Sequence, residues 1–213
     1  MRSLTLLLAL LLALPAAAQQ KLRLNLQNSC SHDGQPFDLE LYGWDGAPEA
    51  KAIVRRICDV VGLQPRFEVQ QANVPNATAT IQANKRLILY SEHFMLGINQ
   101  STGTGWAATG VLAHEIGHHL NNHTLEEDGS RPEIELEADE FSGFALARMG
   151  ATLEQAKAAV NTAAANGSRT HPPRSARVEA VTRGWNRGSR GAAPDRARHR
   201  QPPPQDASPP QIR

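Results

Sequence analysis

The stretch Gly110 to Asn122, GVLAHEIGHHLNN, constrains this chain more than any other, because it sets the pattern HExxH at His114, Glu115 and His118 inside an apolar run. Four residues of helix turn the chain by about 400°, so the two imidazoles stand one above the other on a single face, as a shared metal ion requires. Val111, Leu112, Ile116 and Leu120 supply apolar flanks, so the helix is expected to be buried. Buried polar groups need partners, and a metal supplies them. Two imidazoles do not complete a zinc site: a catalytic one takes a third protein ligand and keeps one position open to water. Glu115 follows the first ligand directly, where its carboxylate can take a proton from that water.

The third ligand is sought on the following helix. Ser130, Arg131, Pro132 and Glu133 form a capping box, which predicts a helix from about Arg131 to Met149 that stops at Gly150. Ile134, Ala138, Phe141, Ala145 and Met149 suit its packed side. Glu135 and Asp139 are four apart and share a face. One carboxylate completes a two-His, one-Glu set, and the other holds a ligand imidazole by its second ring nitrogen. Glu137 is the competing choice, but it points about 200° away from Glu135, so the pairing with Asp139 selects Glu135. The plain alternative is a solvated acidic face near the positive end of a helix. His119 and His123 are rotated from His118 by about 100° and 140°, and are expected to be structural or exposed. The longer pattern HExxHxxGxxH needs glycine at 121 and histidine at 124; Asn121 and Thr124 stand there, which excludes the metzincin reading.

The remaining chain sets the context. Arg2, the apolar run Leu4 to Leu14, Pro15 and the small residues Ala16 to Ala18 have the layout of a cleavable secretory signal, so residues 1–18 are expected to be removed and the chain exported. No later segment has the length of a transmembrane helix. Residues 19–182 carry 14 Lys and Arg against 19 Asp and Glu, while 183–213 carry 7 against 2, so a near-neutral total conceals an acidic body and a basic tail. Cys30 and Cys58 suit one disulfide in an oxidising compartment, the alternative being two buried thiols.

Strands are expected at Leu22–Leu26, Phe37–Leu41, Phe67–Gln71, Thr78–Gln82 and Leu87–Tyr90, with a hairpin turn over 83–86. The edge of this strand pair is expected to lie open for an extended peptide. Helices are expected at Pro48–Val61, over the HExxH segment, at Arg131–Met149, from the cap TLEQ at Thr152 to about Ala165, and at Ser175–Thr182. Gly97 to Gly110 is expected to be a flexible approach to the metal helix, with Trp106 a packing residue. The fold class is therefore α+β, a small mainly antiparallel sheet on about five helices over residues 19–183. Gly184 to Arg213, rich in Arg, Pro and Gly, is expected to be a disordered basic tail suited to peripheral membrane contact, and export argues against nucleic acid as its partner.

HEIGHHL followed by ELEADEFSG resembles the metallopeptidase family of the CAAX prenyl protease and the bacterial heat-shock membrane protease, metallopeptidase family forty-eight, whose signature is HExxH then ExxxD. The resemblance implies a gluzincin-like zinc endopeptidase acting on polypeptides, with one Zn²⁺ per chain. His114, His118 and Glu135 would be its ligands, Glu115 its base and Asp139 its support. Thr170, His171, Pro172, Pro173 and Arg177 are similar to the family's late THP and Arg element, and Asn76 to Ala79 to its NAxA edge strand. On that likeness His171 donates to the developing oxyanion or closes the cleft, against an ordinary loop histidine. Arg177 pairs with Asp139 or another site carboxylate, against a solvated helix arginine. Only 16 residues separate His118 from Glu135, and the transmembrane helices of the best-known members are absent, as in a minimal exported relative. The alternative is a zinc-containing chaperone or binding module without turnover.

Overall fold

The computed structural model describes residues 20–22, 30–31, 41–125 and 131–190, so the expected leader, Ser130 and everything beyond Arg190 lie outside the described residues. Among those described, six strands and six helices give an α+β fold. The strands are β1 (Gln20–Leu22), β2 (Cys30–Ser31), β3 (Leu41–Asp45), β4 (Phe67–Ala72), β5 (Ala77–Gln82) and β6 (Lys85–Tyr90). They form one sheet in the order β1-β3-β4-β6-β5-β2, with β4 and β6 parallel and the other neighbours antiparallel. Of the expected first two strands, only Leu22 and Leu41 are described, at the end of β1 and the start of β3.

The run Leu87 to Tyr90 lies in the middle of the sheet and is buried throughout, as its unbroken apolarity predicts. Its alternation divides it between two cores. Ile88 and Tyr90 face the helices, while Leu87 and Leu89 pack with Leu22, Leu41, Ala72 and Val74. The β5–β6 hairpin closes with two residues, Ala83 (φ 49°) and Asn84 (φ 62°), since Gln82 already pairs with Lys85. Two successive positive φ values match the right-handed twist of the flanking strands. The outer edge of β5, expected to be open, is covered in part: Thr78 and Ala79 pair with Ser31 and Cys30 of β2.

The helices are α1 (Pro48–Val60), α2 (Glu92–Thr102), α3 (Trp106–Leu120), α4 (Pro132–Met149), α5 (Leu153–Lys157) and α6 (Arg174–Arg190). α2 and the start of α3 together replace most of the flexible approach expected over Gly97 to Gly110. Ser91 caps it by accepting from the Phe94 N–H at 3.3 Å, and Met95 and Ile98 bury its inner side. Trp106 is a core residue, as expected.

The N-cap of α4 is Arg131 in extended backbone, one residue later than the capping box proposed. Thr152 does form its capping box with Gln155, but α5 ends at Lys157 and a 3₁₀ turn follows over Val160–Thr162. Ala158, Ala159 and Val160 are all buried, and three consecutive buried residues need surroundings on every side rather than one helix face.

The expected boundary after residue 183 falls inside α6, which continues to Arg190. Gly184 and Gly188 are contact points: a Cβ on Gly184 would overlap the Glu140 carbonyl, and one on Gly188 would lie 2.6 Å from Phe144 O. Gly143 faces them from α4 with no more room, against the Val181 carbonyl. Trp185, in the same stretch, donates from Nε1 to Ala151 O at 2.9 Å. Gly184→Ala should therefore force α4 and α6 apart and destabilise the fold by about 1–3 kcal/mol. Urea denaturation measures this, and an unchanged midpoint would show that the crossing relaxes freely.

The expected bridge between Cys30 and Cys58 is absent. Cys58 is a free, buried thiol on α1, and burial pushes it up to about 11. α1 packs on β4, whereas β2 lies three strand positions away, about 14 Å at ordinary strand spacing. A disulfide needs Cα atoms within about 7 Å.

Candidate metal centre

α3 is buried along nearly its whole length, including His114, Glu115, His118 and His119. It meets α4 where two small residues touch: a Cβ on Gly117 would come 3.0 Å from the Cα of Ala138. Gly117 lies between the two HExxH histidines, and Ala138 lies between Glu135 and Asp139. The close approach therefore brings both carboxylates onto the imidazoles. His114, His118 and Glu135 each offer a ligand atom within 4.8 Å of the others, all three side chains being buried, so this group could hold a metal ion.

The atomic spacing is specific. His114 Nε2 is 3.1 Å from His118 Nε2 and 3.2 Å from Glu135 Oε2, and His118 Nε2 is 3.6 Å from Glu135 Oε1. Glu135 Oε1 is buried and has no hydrogen-bond partner. An orphaned carboxylate oxygen beside two facing imidazole nitrogens is costly, and a shared cation removes the cost.

Behind the group, Asp139 Oδ1 accepts from His114 Nδ1 at 2.9 Å. Arg177 grips the same carboxylate with two bonds, Nε to Oδ2 at 2.7 Å and Nη2 to Oδ1 at 2.9 Å. Of the two carboxylates considered for Arg177, Asp139 is thus the one it engages. Burial alone would raise the Asp139 carboxyl, but the charges of Arg177 and His114 outweigh it and hold it well below the usual carboxylate range. Burial would likewise lower His114; Asp139 and Glu135 override it and raise the imidazole to about 10, and a cation bound at the group would displace its Nε2 proton. His118 is lowered, by burial first and then by the charge at His114.

Arg177→Met should leave Asp139 charged and buried without its guanidinium, at a cost of about 3–5 kcal/mol. Adding Asp139→Asn to that variant should recover part of the loss. Chemical denaturation of the single and double variants reads both, and equal stabilities for wild type and Arg177→Met would mean that the pair is not coupled.

Glu115 is fully buried, and neither carboxylate oxygen makes a hydrogen bond of full bonding geometry. Burial pushes its carboxyl up to about 8, while His114 and the backbone of Ala79 on β5 favour its charged form. His171 reaches the group from the loop before α6: its Nε2 lies 3.5 Å from Glu135 Oε2 and its Nδ1 3.0 Å from Thr170 Oγ1. Ser168 ties that loop back, accepting from the His171 N–H at 3.0 Å and donating its own N–H to His171 O at 2.7 Å. All seven residues singled out from the sequence, His114, Glu115, His118, Glu135, Asp139, His171 and Arg177, thus come together.

His119 and His123 are both buried, not exposed. His119 is structural: Nε2 donates to Leu87 O at 2.9 Å, the ring stacks on Phe67, and burial lowers it to about 4. His123 was missed as a site residue, for its Nδ1 lies 3.1 Å from His118 Nδ1. Helix angles do not place His123, because the chain leaves the helix at Leu120 and Asn122, at φ 61°, turns it back. Asn122, a residue type that tolerates the left-handed region, was the available signal. No helix among the described residues is long and apolar enough to cross a membrane. Comparisons with protein-family models, curated proteins and solved structures match nothing to this chain.

Proposed function

We propose that the chain is a zinc endopeptidase of the HExxH and ExxxD kind with a gluzincin-like domain, exported by its first 18 residues and acting on polypeptides. The single observation that carries this reading is Glu115, a buried carboxylate with no side-chain partner, beside a group that among the described residues offers three ligands. Structural zinc sites are closed by four protein ligands, whereas catalytic ones have three and an open position. The spacings of 3.1, 3.2 and 3.6 Å also suit zinc, since bonds of about 2.0–2.1 Å give a tetrahedral edge of roughly 3.3–3.4 Å.

His114, His118 and Glu135 would hold the zinc, which when bound would supply Lewis acidity toward a peptide carbonyl and a water. Glu115 takes the proton of the attacking water on its carboxylate and returns it to the leaving amine nitrogen. His171, whose Nε2 lies 3.5 Å from Glu135 Oε2, is the donor to the carbonyl oxygen as negative charge builds there in this reading. Asp139, clamped by Arg177, keeps His114 in the tautomer whose Nε2 lone pair faces inward.

The test is incubation of the purified protein with unfolded polypeptides, with and without a chelator, alongside its zinc content. One zinc per chain and cleavage that chelation stops and zinc restores support the reading. Bound zinc without cleavage favours a chaperone or binding module instead. Unfolding on chelation favours a structural site.

A further inference from the structure

We propose that His123 and Glu137 are positioning residues for His118, forming a relay that fixes its ring and the place of its proton; the inference rests on the metal reading above. Three observations carry it. His118 Nε2 faces His114 Nε2 and Glu135, so His118 turns its Nδ1 outward, and there it meets His123 Nδ1 at 3.1 Å. The other nitrogen of His123, Nε2, lies 3.0 Å from Glu137 Oε2. The His123 side chain is 2% exposed, whereas that of Glu137 is 61% exposed, so the chain of contacts runs from the centre to solvent.

The proton assignment is forced one step at a time. A metal-binding Nε2 must present a lone pair, which leaves the His118 proton on Nδ1. His118 Nδ1–H then donates to His123 Nδ1. His123 must accept there, so its own proton sits on Nε2 and donates to the Glu137 carboxylate. Such outer partners hold the ligand ring and raise its basicity. His114 has its equivalent in Asp139 and Arg177. Glu135, Glu137 and Asp139 thus divide the work: one faces the metal, and the other two each back a different imidazole.

The fold builds the relay locally. Arg86 donates from Nη1 to His119 O and from Nη2 to Asn122 Oδ1, the latter at 3.1 Å, which caps α3 and holds the turn that carries His123. The 3₁₀ turn His123–Leu125 then presents the imidazole to His118, and its ring sits edge-on to His118 with centroids 5.2 Å apart.

The test uses the full chain, loaded with zinc or cobalt(II), and measures metal affinity by chelator competition. His123→Ala and Glu137→Gln should each weaken zinc binding, by about 10–100-fold for the histidine. The double variant should be little worse than His123→Ala alone. The cobalt(II) absorption bands should shift in both single variants, a readout that loss of packing alone would not move, and Glu137→Asp should restore them in part. Should His123→Ala fail to fold, Glu137→Gln changes only an exposed side chain and keeps the test decisive. Wild-type binding of one ion with unchanged affinity and spectra in the variants overturns the relay alone. A wild type that binds no zinc overturns the hydrolase reading along with it.

Discussion

Glu115→Gln should keep zinc in place and lower peptide hydrolysis by about 10²–10⁴-fold, the usual contribution of a positioned general base. The amide matches the carboxylate in size, so a fully buried position is refilled without a cavity. It cannot accept a proton from water, so the loss falls on kcat and leaves KM nearly unchanged. Stability should not suffer: burial opposes the charged carboxylate, and the amide carries no charge to desolvate. Steady-state cleavage of an unfolded polypeptide, with zinc measured on the same sample, decides it. Turnover at the wild-type rate with zinc bound would remove Glu115 from the chemistry.

The parts of the fold that were legible in the sequence are those where one residue pattern has one physical solution. A four-residue histidine spacing in an apolar run is a buried helix with a polar stripe, and α3 has that form. Leu87 to Tyr90 is a central strand because both its faces are apolar. α6 was cut short because Gly184 and Gly188 usually break helices, while Arg183, Arg187 and Arg190 suggest a solvated chain. In the fold those glycines are where α4 touches, and Arg183 and Arg187 turn outward onto Glu140. Which meaning a glycine has depends on residues 44 positions earlier, Glu140 for Gly184 and Phe144 for Gly188, and no local pattern contains that. The same limit applies to Cys30 and Cys58: a count of two says nothing about the strand order that separates them.

The site was more legible than the fold around it, because metal ligation restricts residue types and helix geometry together. Glu135 and Asp139 were separable from Glu137 by face alone. What the helix angles could not reach was His123, since its contact with His118 is made across a turn and not along a helix. Nor do helix angles hold the ridge-to-ridge distance that Gly117 and Ala138 set. Pattern gives the ligands; the small residues between them give the spacing.

Glu135→Ala should abolish stoichiometric zinc binding while leaving most of the fold. Loss of a partner behind a ligand already costs about 10–100-fold in metal affinity. Loss of one ligand in three should cost more, since two imidazoles remain and the vacated position is apolar. The Asp139–Arg177 pair, the α4–α6 crossing and the helix-facing core do not depend on the Glu135 side chain, so circular dichroism should stay close to wild type. Glu137→Ala provides the comparison: it should weaken binding and still take up one ion at saturating zinc. Metal content and chelator competition on the three proteins give the result. Wild-type stoichiometry in Glu135→Ala, or loss of the ion in Glu137→Ala alone, would transfer the third ligand to another residue. Loss of both ion and fold would mark a site built to hold the protein together, with no reason for Glu115 to stand beside it without a side-chain partner.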